Sequence, residues 1–272
     1  MTTPDPAYPV ALTIASTDSG GGAGVPADLR TFHALGVFGT CAVAAVTAQN
    51  TTGVHAIDEL PPRALADQID AVAGDIPVAA VKTGALPSAG LLEAAADGLR
   101  RHRLSRVVVD PVAISKHGDP LLRADAVAVL RDQLLPLAEV VTPNLHEAEL
   151  LTGVRVGDRD GQRRVAAELL AFGPAWVLVK GGHLPGTDRA VDLLTNGSDE
   201  IELVQPRIDN PHTHGTGCTL SAALAAFRAR GLDVPGAAQR AKEFVTGAIR
   251  HGFPLGHGIG PVDVLWRTRT CD

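Results

Sequence analysis

Short apolar runs that end in a polar residue recur along this chain, separated by segments with apolar residues at helical spacing. Residues 10–16, 40–47, 78–82, 106–110, 139–142 and 176–180 read as strands. Residues 61–73, 91–103, 124–135, 162–172 and 237–250 read as helices. Alternation of this kind implies a mainly parallel central sheet with helices on both faces, an α/β three-layer sandwich. Segments 191–195 and 201–205 flank Asn196-Gly197, a hairpin turn signal that adds antiparallel strands. With 272 residues and 45% hydrophobic content, the chain has enough material for a large core and suits one domain over 1–272. Residues 1–8 are expected to be a flexible N-terminal segment, and no repeat or linker divides the rest.

In sheets of this type ligands bind outside the carboxyl ends of the strands. Asp18, Gln49, Lys82, Asp110, Asn144 and Lys180 all fall at or just past predicted strand ends. One polar residue there means little, but six from separate strands suggest a site.

The stretch Thr213-His214-Gly215-Thr216-Gly217-Cys218 leads into Leu220, Leu224 and Phe227, spaced as one apolar helical face. Gly-Thr-Gly lets the backbone gather successive N–H groups at the helix start, where unpaired amides and the dipole favour an anion. The same letters also fit an ordinary glycine turn with Cys218 as a small buried residue. A first-turn cysteine can have its pKa lowered, which would let Cys218 accept a proton beside a bound phosphate.

Asp110 and Glu147 follow successive strands and would suit Mg2+, which takes one or two carboxylates beside substrate phosphates. Glu147 is equally placed to cap the helix it begins. Lys180 at a strand tip would neutralise phosphate charge or sit solvated at the surface. A second glycine-rich loop, Asp18-Ser19-Gly20-Gly21-Gly22-Ala23-Gly24, joins a strand to a helix, with Pro26 at a first helical position and Asp28 complementing the dipole. Its frame from Gly22 to Ala27 fits a dinucleotide fingerprint, but the acid that should follow the second strand is missing before Asp58. No Gly-x-x-x-x-Gly-Lys-Ser/Thr occurs either.

A net charge of −6 argues against a nucleic-acid footprint, and 3% aromatic content is too low for base-stacking platforms. The N-terminus lacks the basic and long apolar segments of a signal peptide or membrane span. Three cysteines, Cys41, Cys218 and Cys271, have no metal-ligand spacing and fit a reduced cytoplasmic compartment.

A phosphoryl-transfer site without a P-loop, built on Gly-Thr-Gly at a late helix, resembles the ribokinase superfamily. From about Ala11 to Pro261 the chain is more closely similar to the hydroxymethylpyrimidine/phosphomethylpyrimidine kinases of thiamine biosynthesis. The resemblance rests on the 18–24 loop with Ala27-Asp28-Leu29, Thr47-Ala48-Gln49-Asn50-Thr51 and Lys82-Thr83-Gly84. It continues in Asp110-Pro111-Val112, Gly118-Asp119-Pro120, Thr142-Pro143-Asn144 with Glu147, Lys180-Gly181-Gly182-His183, the 213–221 stretch and Gly256-His257-Gly258-Ile259-Gly260.

The resemblance implies a ribokinase-like fold, ATP as co-substrate, Mg2+, an aminopyrimidine alcohol as acceptor and a homodimer. It implies that Gly215, Thr216, Gly217 and Cys218 form the anion hole, with Cys218 standing where most of the superfamily has an aspartate. Gln49 would bond the aminopyrimidine edge, with Asp28, Ser16, Ala85 and Val112 around the same pocket. Asp110, Asn144 and Glu147 would hold hydrated magnesium, while Lys180 and Lys242 lie near the ATP phosphates. The loop at 112–119 and the hairpin near Asn196 would be covers that exclude water.

The family's usual Gly-Ser-Asp is Ser16-Thr17-Asp18 here, and its Gln before Ala-Asp is Pro26. Methionines near the acceptor are replaced by Ala85 and Ala113, which implies a reshaped acceptor pocket. Pyridoxal kinases of the same superfamily also carry Gly-Thr-Gly-Cys and form the competing reading. A nucleotide-binding module without catalysis is a third, opposed by the intact Asp110, Glu147, Lys180 and Cys218.

Overall fold

The computed structural model describes residues 8–116, 118–182, 184 and 188–268. The N-terminal segment (Tyr8 apart), His183 and Cys271 lie outside the described residues.

The strands are β1 (Val10–Ala15), β2 (Phe38–Val43), β3 (Ala45–Asn50), β4 (Gly53–Glu59), β5 (Val78–Thr83), β6 (Val107–Val109), β7 (Val140–Val141), β8 (Trp176–Val179), β9 (Arg189–Thr195) and β10 (Glu200–Pro206). Interspersed are the helices α1 (Gly24–Ala34), α2 (Pro62–Ala73), α3 (Ala89–Arg101), α4 (Ala126–Val129), α5 (Leu145–Thr152), α6 (Arg159–Leu170), α7 (Thr216–Ala229) and α8 (Val234–Arg250). Eight strands form one sheet in the order β10-β9-β8-β7-β6-β5-β1-β2. All pairings from β2 to β8 are parallel, while β9 runs antiparallel to both neighbours. The order reverses at β1, which has β2 on one side and β5 on the other, and ligand clefts open at such a switch.

Alternation along each strand feeds two cores. Leu12, Ile14, Val107, Val109 and Val177 pack with α2 to α6 on one face. Ala11, Val108, Val140 and Leu178 pack with α1, α7 and α8 on the other. Both faces are therefore covered, as the unbroken apolar strands require.

Two expectations are corrected. The segment 40–47 is not one strand: the chain leaves the main sheet at the buried Ala44, and β3 pairs antiparallel with β4, which the sequence reading missed, in a separate two-stranded sheet. Its alternation turns Thr47 and Gln49 to one side and leaves Val46 49% exposed on the other. The helix expected over 124–135 is α4 continued by a wide turn at Leu130–Leu134 and a tight one at Leu135–Leu137.

Candidate active site

A cleft of about 570 Å³ lies over the carboxyl ends of the parallel strands. Five of the six strand-end residues line it: Asp18, Gln49, Asp110, Asn144 and Lys180. Lys82 does not. It sits within β5, wholly buried, with its Nζ 2.7 Å from Asp28 Oδ2.

That pair also corrects the expectation for Asp28. Its carboxylate neither complements the α1 dipole nor reaches the cleft; it is fully buried and accepts from Thr13 Oγ1 at 2.6 Å as well as from Lys82. Burial acts to lower the Lys82 pKa, but Asp28, Cys218 and Asp110 together outweigh it and hold the ammonium above the ordinary lysine range.

At the cleft's centre α7 is preceded by its N-cap Gly215, whose φ of 80° is left-handed. Thr216 N–H donates to Thr213 O and Thr219 N–H to Gly215 O, which leaves the Gly217 and Cys218 amides in the first turn between them. A Cβ on Gly217 would lie 3.5 Å from Lys180 Nζ and 3.8 Å from Asp110 Oδ2, so the helix start, the lysine and the carboxylate converge.

Lys180 Nζ lies 3.1 Å from Asp110 Oδ1 and 3.7 Å from Glu147 Oε2. Burial would depress its pKa, but the two carboxylates raise it above the lysine range. Burial pushes Glu147 up to about 7, with Lys180 opposing and Asp110 reinforcing the shift. Asp110 is further held by Ser221 Oγ, which donates to Oδ2 at 3.2 Å.

Glu147 fills both roles left open by its sequence position. Asn144 Oδ1 accepts from Glu147 N–H at 2.9 Å and Glu147 Oε2 accepts from Asn144 N–H at 2.8 Å, a capping box that starts α5. The same Oε2 faces Lys180. Asn144 Oδ1 is thus committed to the helix cap, although the residue lines the cleft.

The Cys218 expectation is reversed. Burial raises the thiol to about 11, and the opposing influence of Lys82 and of the Gly24 amide does not overcome it. Helix-start position alone does not activate this cysteine.

Lys242 on α8 lies at the cleft with its Nζ 2.7 Å from Asp192 Oδ2. Asp192 Oδ1 accepts from Gly181 N–H at 2.9 Å, so one carboxylate on β9 holds Lys242 and the backbone just after Lys180. The sequence reading missed Asp192; its signal was an acid inside the apolar run Val191-Asp192-Leu193-Leu194, where a buried charge needs a partner.

The other end of the cleft is closed by two interlocked loops. Asp18 Oδ1 accepts from Gly20 N–H at 2.8 Å, and Oδ2 accepts from Ala23 N–H and His214 Nε2–H, each at 2.8 Å. A Cβ on Gly22 would meet His214 Cδ2 at 2.3 Å, and one on Gly215 would meet Gly22 O at 1.8 Å. Only glycines allow the approach. Gln49 Nε2 lies 3.5 Å from His214 Nε2.

Ser16, Ala85 and Val112 line the cleft as expected. The Ser16 hydroxyl, however, donates to Ala85 O at 2.9 Å and so is turned onto the backbone. Ala113 is buried outside the lining, so only one of the two alanine replacements faces the cleft. Ile114, Ser115 and Lys116 of the 112–119 loop reach the cleft, but the hairpin turn at Asn196 does not; the opposite ends of β9 and β10 do.

The family model for phosphomethylpyrimidine kinase matches residues 18–263. The chain belongs to this family. It is 56% identical over 268 residues to a hydroxymethylpyrimidine/phosphomethylpyrimidine kinase of Streptomyces coelicolor, a match that covers 98% of each chain. A solved phosphomethylpyrimidine kinase from Clostridium difficile superposes with a TM-score of 0.79 at 41% identity, covering 88% of this chain and 99% of that one. An ADP complex of Bacillus subtilis pyridoxal kinase superposes with a TM-score of 0.90 at 37% identity, covering 97% of this chain and 100% of that one. Membership in the phosphomethylpyrimidine kinase family accounts for the ribokinase-like sheet order and for a cleft at its switch point.

Proposed function

We propose that the chain, acting as one domain, transfers the γ-phosphate of ATP to the hydroxymethyl oxygen of 4-amino-5-hydroxymethyl-2-methylpyrimidine. A second transfer then converts the monophosphate to the diphosphate needed for thiamine. The observation that carries this reading is the convergence of the Gly217 and Cys218 amides, Lys180 and Asp110 at one point of the cleft.

The chemistry is in-line displacement, in which positioning and charge neutralisation do most of the work. The Gly217 and Cys218 amides would hold the transferring phosphoryl oxygens, whereas the Thr216 amide expected beside them is spent on Thr213 O. Lys180 and Lys242, which both line the cleft, would take the remaining phosphate charge. Thiol protonation at Cys218 makes it a poor base, and a loose transition state does not require one early, since the alcohol proton leaves late.

Asp110 and Glu147 fit a magnesium ion, because two carboxylates already converge on one ammonium and so form a cation locus. Bound there, through water, the metal would neutralise phosphate charge; Asn144 would contribute by fixing Glu147 through the cap. The acceptor would lie between Gln49, Ser16, Ala85 and Val112, which line the end of the cleft nearest the 18–24 loop.

The second reading is a pyridoxal kinase, favoured by the likeness to the pyridoxal kinase complex and by the small Ala85 in the cleft lining. A binding module without catalysis is disfavoured by the intact cluster of Asp110, Glu147, Lys180 and Cys218. We also place the protein in the cytoplasm as a homodimer. The reading is supported by two free cysteines, Cys41 and Cys218, and by the exposed Val46 on the separate β3–β4 sheet. Among the described residues no helix is long and apolar enough to cross a membrane.

Product mass after incubation with Mg-ATP and each acceptor tests the assignment. One and then two phosphates on the pyrimidine support it; phosphate on pyridoxal alone overturns it in favour of the second reading.

A further inference from the structure

The run Gly256-His257-Gly258-Ile259-Gly260 follows α8 and does not line the cleft. Its glycines are used for close approach. A Cβ on Gly258 would meet Thr51 O at 1.8 Å, and one on Gly256 would meet Thr51 Oγ1 at 2.6 Å. A Cβ on Gly260 would meet Phe253 O at 2.0 Å and His212 Nδ1 at 2.9 Å. Bare backbone is required at all three positions, and two of them lie against the same residue, Thr51.

Hydrogen bonds run the same way. Gly258 N–H donates to Thr51 Oγ1 at 3.1 Å and Ile259 N–H to Thr51 O at 2.9 Å. The run is also bonded to the turn that leads into α7. Gly260 N–H donates to His212 Nδ1 at 3.1 Å, His214 N–H donates to Gly260 O at 3.0 Å, and Val262 N–H donates to His214 O at 3.0 Å. One loop thus bonds the tip of the β3–β4 hairpin and, within two residues, the turn that carries His214 and Gly215.

Both ends of that link belong to the cleft. Thr47, Gln49 and Ile57 of the hairpin line it, and so do residues 213–218. The hairpin is separate from the eight-stranded sheet, and its own ladder slips register between Ala48 and Gln49. Such a slip re-aims the side chain beside it, so the ladder alone does not set where Gln49 stands. Bonds from outside the hairpin do this. Ser19 Oγ accepts from Gln49 N–H at 2.8 Å, and the bonds to Thr51 fix the chain two residues further on.

We infer that the 256–260 loop is a clasp and Thr51 a positioning residue, which together set the hairpin wall against the first turn of α7 and so bring the acceptor hydroxyl into line with the transferring phosphate. The inference rests on the reading that the acceptor lies against the hairpin and the phosphate at α7. In-line transfer is steeply sensitive to that spacing: a displacement of about 1 Å, caused far from the chemistry, costs about a hundredfold. The nucleotide side is assigned to Lys180, Lys242 and α7, on other elements.

The test compares transfer with nucleotide binding in three variants of the full chain. Thr51→Val keeps the shape and removes the hydroxyl that Gly258 N–H reaches. Its kcat/KM for 4-amino-5-hydroxymethyl-2-methylpyrimidine is expected to fall about tenfold, the equivalent of one hydrogen bond. Thr51→Ser keeps the hydroxyl and should stay near the native value. Gly258→Ala forces the hairpin tip and the loop apart by at least about 1 Å and should cost about a hundredfold. In all three the Kd for Mg-ADP, read by calorimetry, should stay within about twofold of native.

A native kcat/KM in Thr51→Val overturns the positioning role. A loss shared equally by Thr51→Ser, or matched by a loss of Mg-ADP affinity, also overturns it, because a general loosening does not single out the hydroxyl or the acceptor. If Gly258→Ala does not fold, the valine and serine variants decide. Should the native enzyme phosphorylate pyridoxal and not the pyrimidine, the assigned function fails, while the same comparison made with pyridoxal still decides the clasp. Transfer to neither acceptor overturns both.

Discussion

Lys82 Nζ and Asp28 Oδ2 form a 2.7 Å ion pair with neither side chain exposed, beneath the floor of the cleft. Removing one partner of such a pair leaves an uncompensated buried charge, which costs about 3–5 kcal/mol, whereas removing both charges costs much less. Lys82→Met is therefore expected to lower the unfolding free energy by about that amount, and Lys82→Met with Asp28→Asn to recover most of it. Urea denaturation midpoints of the two variants check this. Because Asp28 bonds Thr13 and Lys82 rather than the cleft, KM for the pyrimidine in the double variant should stay within about threefold of the native value.

Cys218 has a thiol raised to about 11 by burial, so at neutral pH it is protonated. Thiolate is the reactive species, and its fraction grows about tenfold per pH unit below the pKa. Alkylation of Cys218 by iodoacetamide should therefore accelerate about tenfold per unit from pH 7 to 10 without levelling off near 8.5, where an ordinary cysteine does. Peptide-resolved mass spectrometry reads this site apart from Cys41. Cys218→Ala should lower kcat by less than about a hundredfold, the low end of what a true general base contributes.

Much of this was legible in the sequence because it was written locally. Apolar runs and their polar ends placed five of the six parallel strands and part of the sixth, and the glycine turn that starts α7 announced itself by Gly-Thr-Gly before an apolar helical face. Glu147 showed its cap through the spacing to Asn144. What escaped was written in pairs distant along the chain. Asp28 looked like a first-turn acid until Lys82, 54 positions on, proved to be its partner. Asp18 and His214 are 196 positions apart, and no periodicity links them. The Cys218 pKa also needed the fold, because helix-start position and burial act in opposite directions and only packing decides between them. The break at Ala44 was hidden because the apolar run from Cys41 to Val46 continues across it in the sequence while the chain changes sheets.

Gly215 and Gly217 differ in what a methyl group would meet. At Gly215 φ is 80° and a Cβ would come within 1.8 Å of Gly22 O, so the substitution strains both interlocked loops. At Gly217 the nearest atoms are 3.5 Å or more away, but they are Lys180 Nζ and Asp110 Oδ2, in the space assigned to the phosphate. Gly215→Ala is expected to lose stability by about 1–3 kcal/mol and nearly all activity. Gly217→Ala should melt close to the native temperature yet lose about a hundredfold or more in kcat, since one displaced oxyanion donor costs that much. Thermal melts beside single-turnover rates separate the two.

Ala85 and Ala113 replace methionines of the family pattern, but only Ala85 lines the cleft. Ala85 is anchored through its carbonyl, which accepts from Ser16 N–H at 3.0 Å and Ser16 Oγ at 2.9 Å, so its side chain is fixed toward the acceptor end. Ala85→Met would fill that end and exclude the bulkier pyridoxal before the pyrimidine. The ratio of kcat/KM for pyrimidine over pyridoxal should rise about tenfold, the scale on which a hydrophobic pocket discriminates by size. Ala113 is 3% exposed behind the cleft wall and has no such space. Ala113→Met should overpack its surroundings and cost about 1–3 kcal/mol in stability. Its acceptor ratio should stay native. If Ala113→Met alone moves the ratio, the wall behind the cleft shapes the acceptor end and Ala85 does not. If neither moves it, acceptor choice is set by the polar contacts around Gln49 rather than by volume.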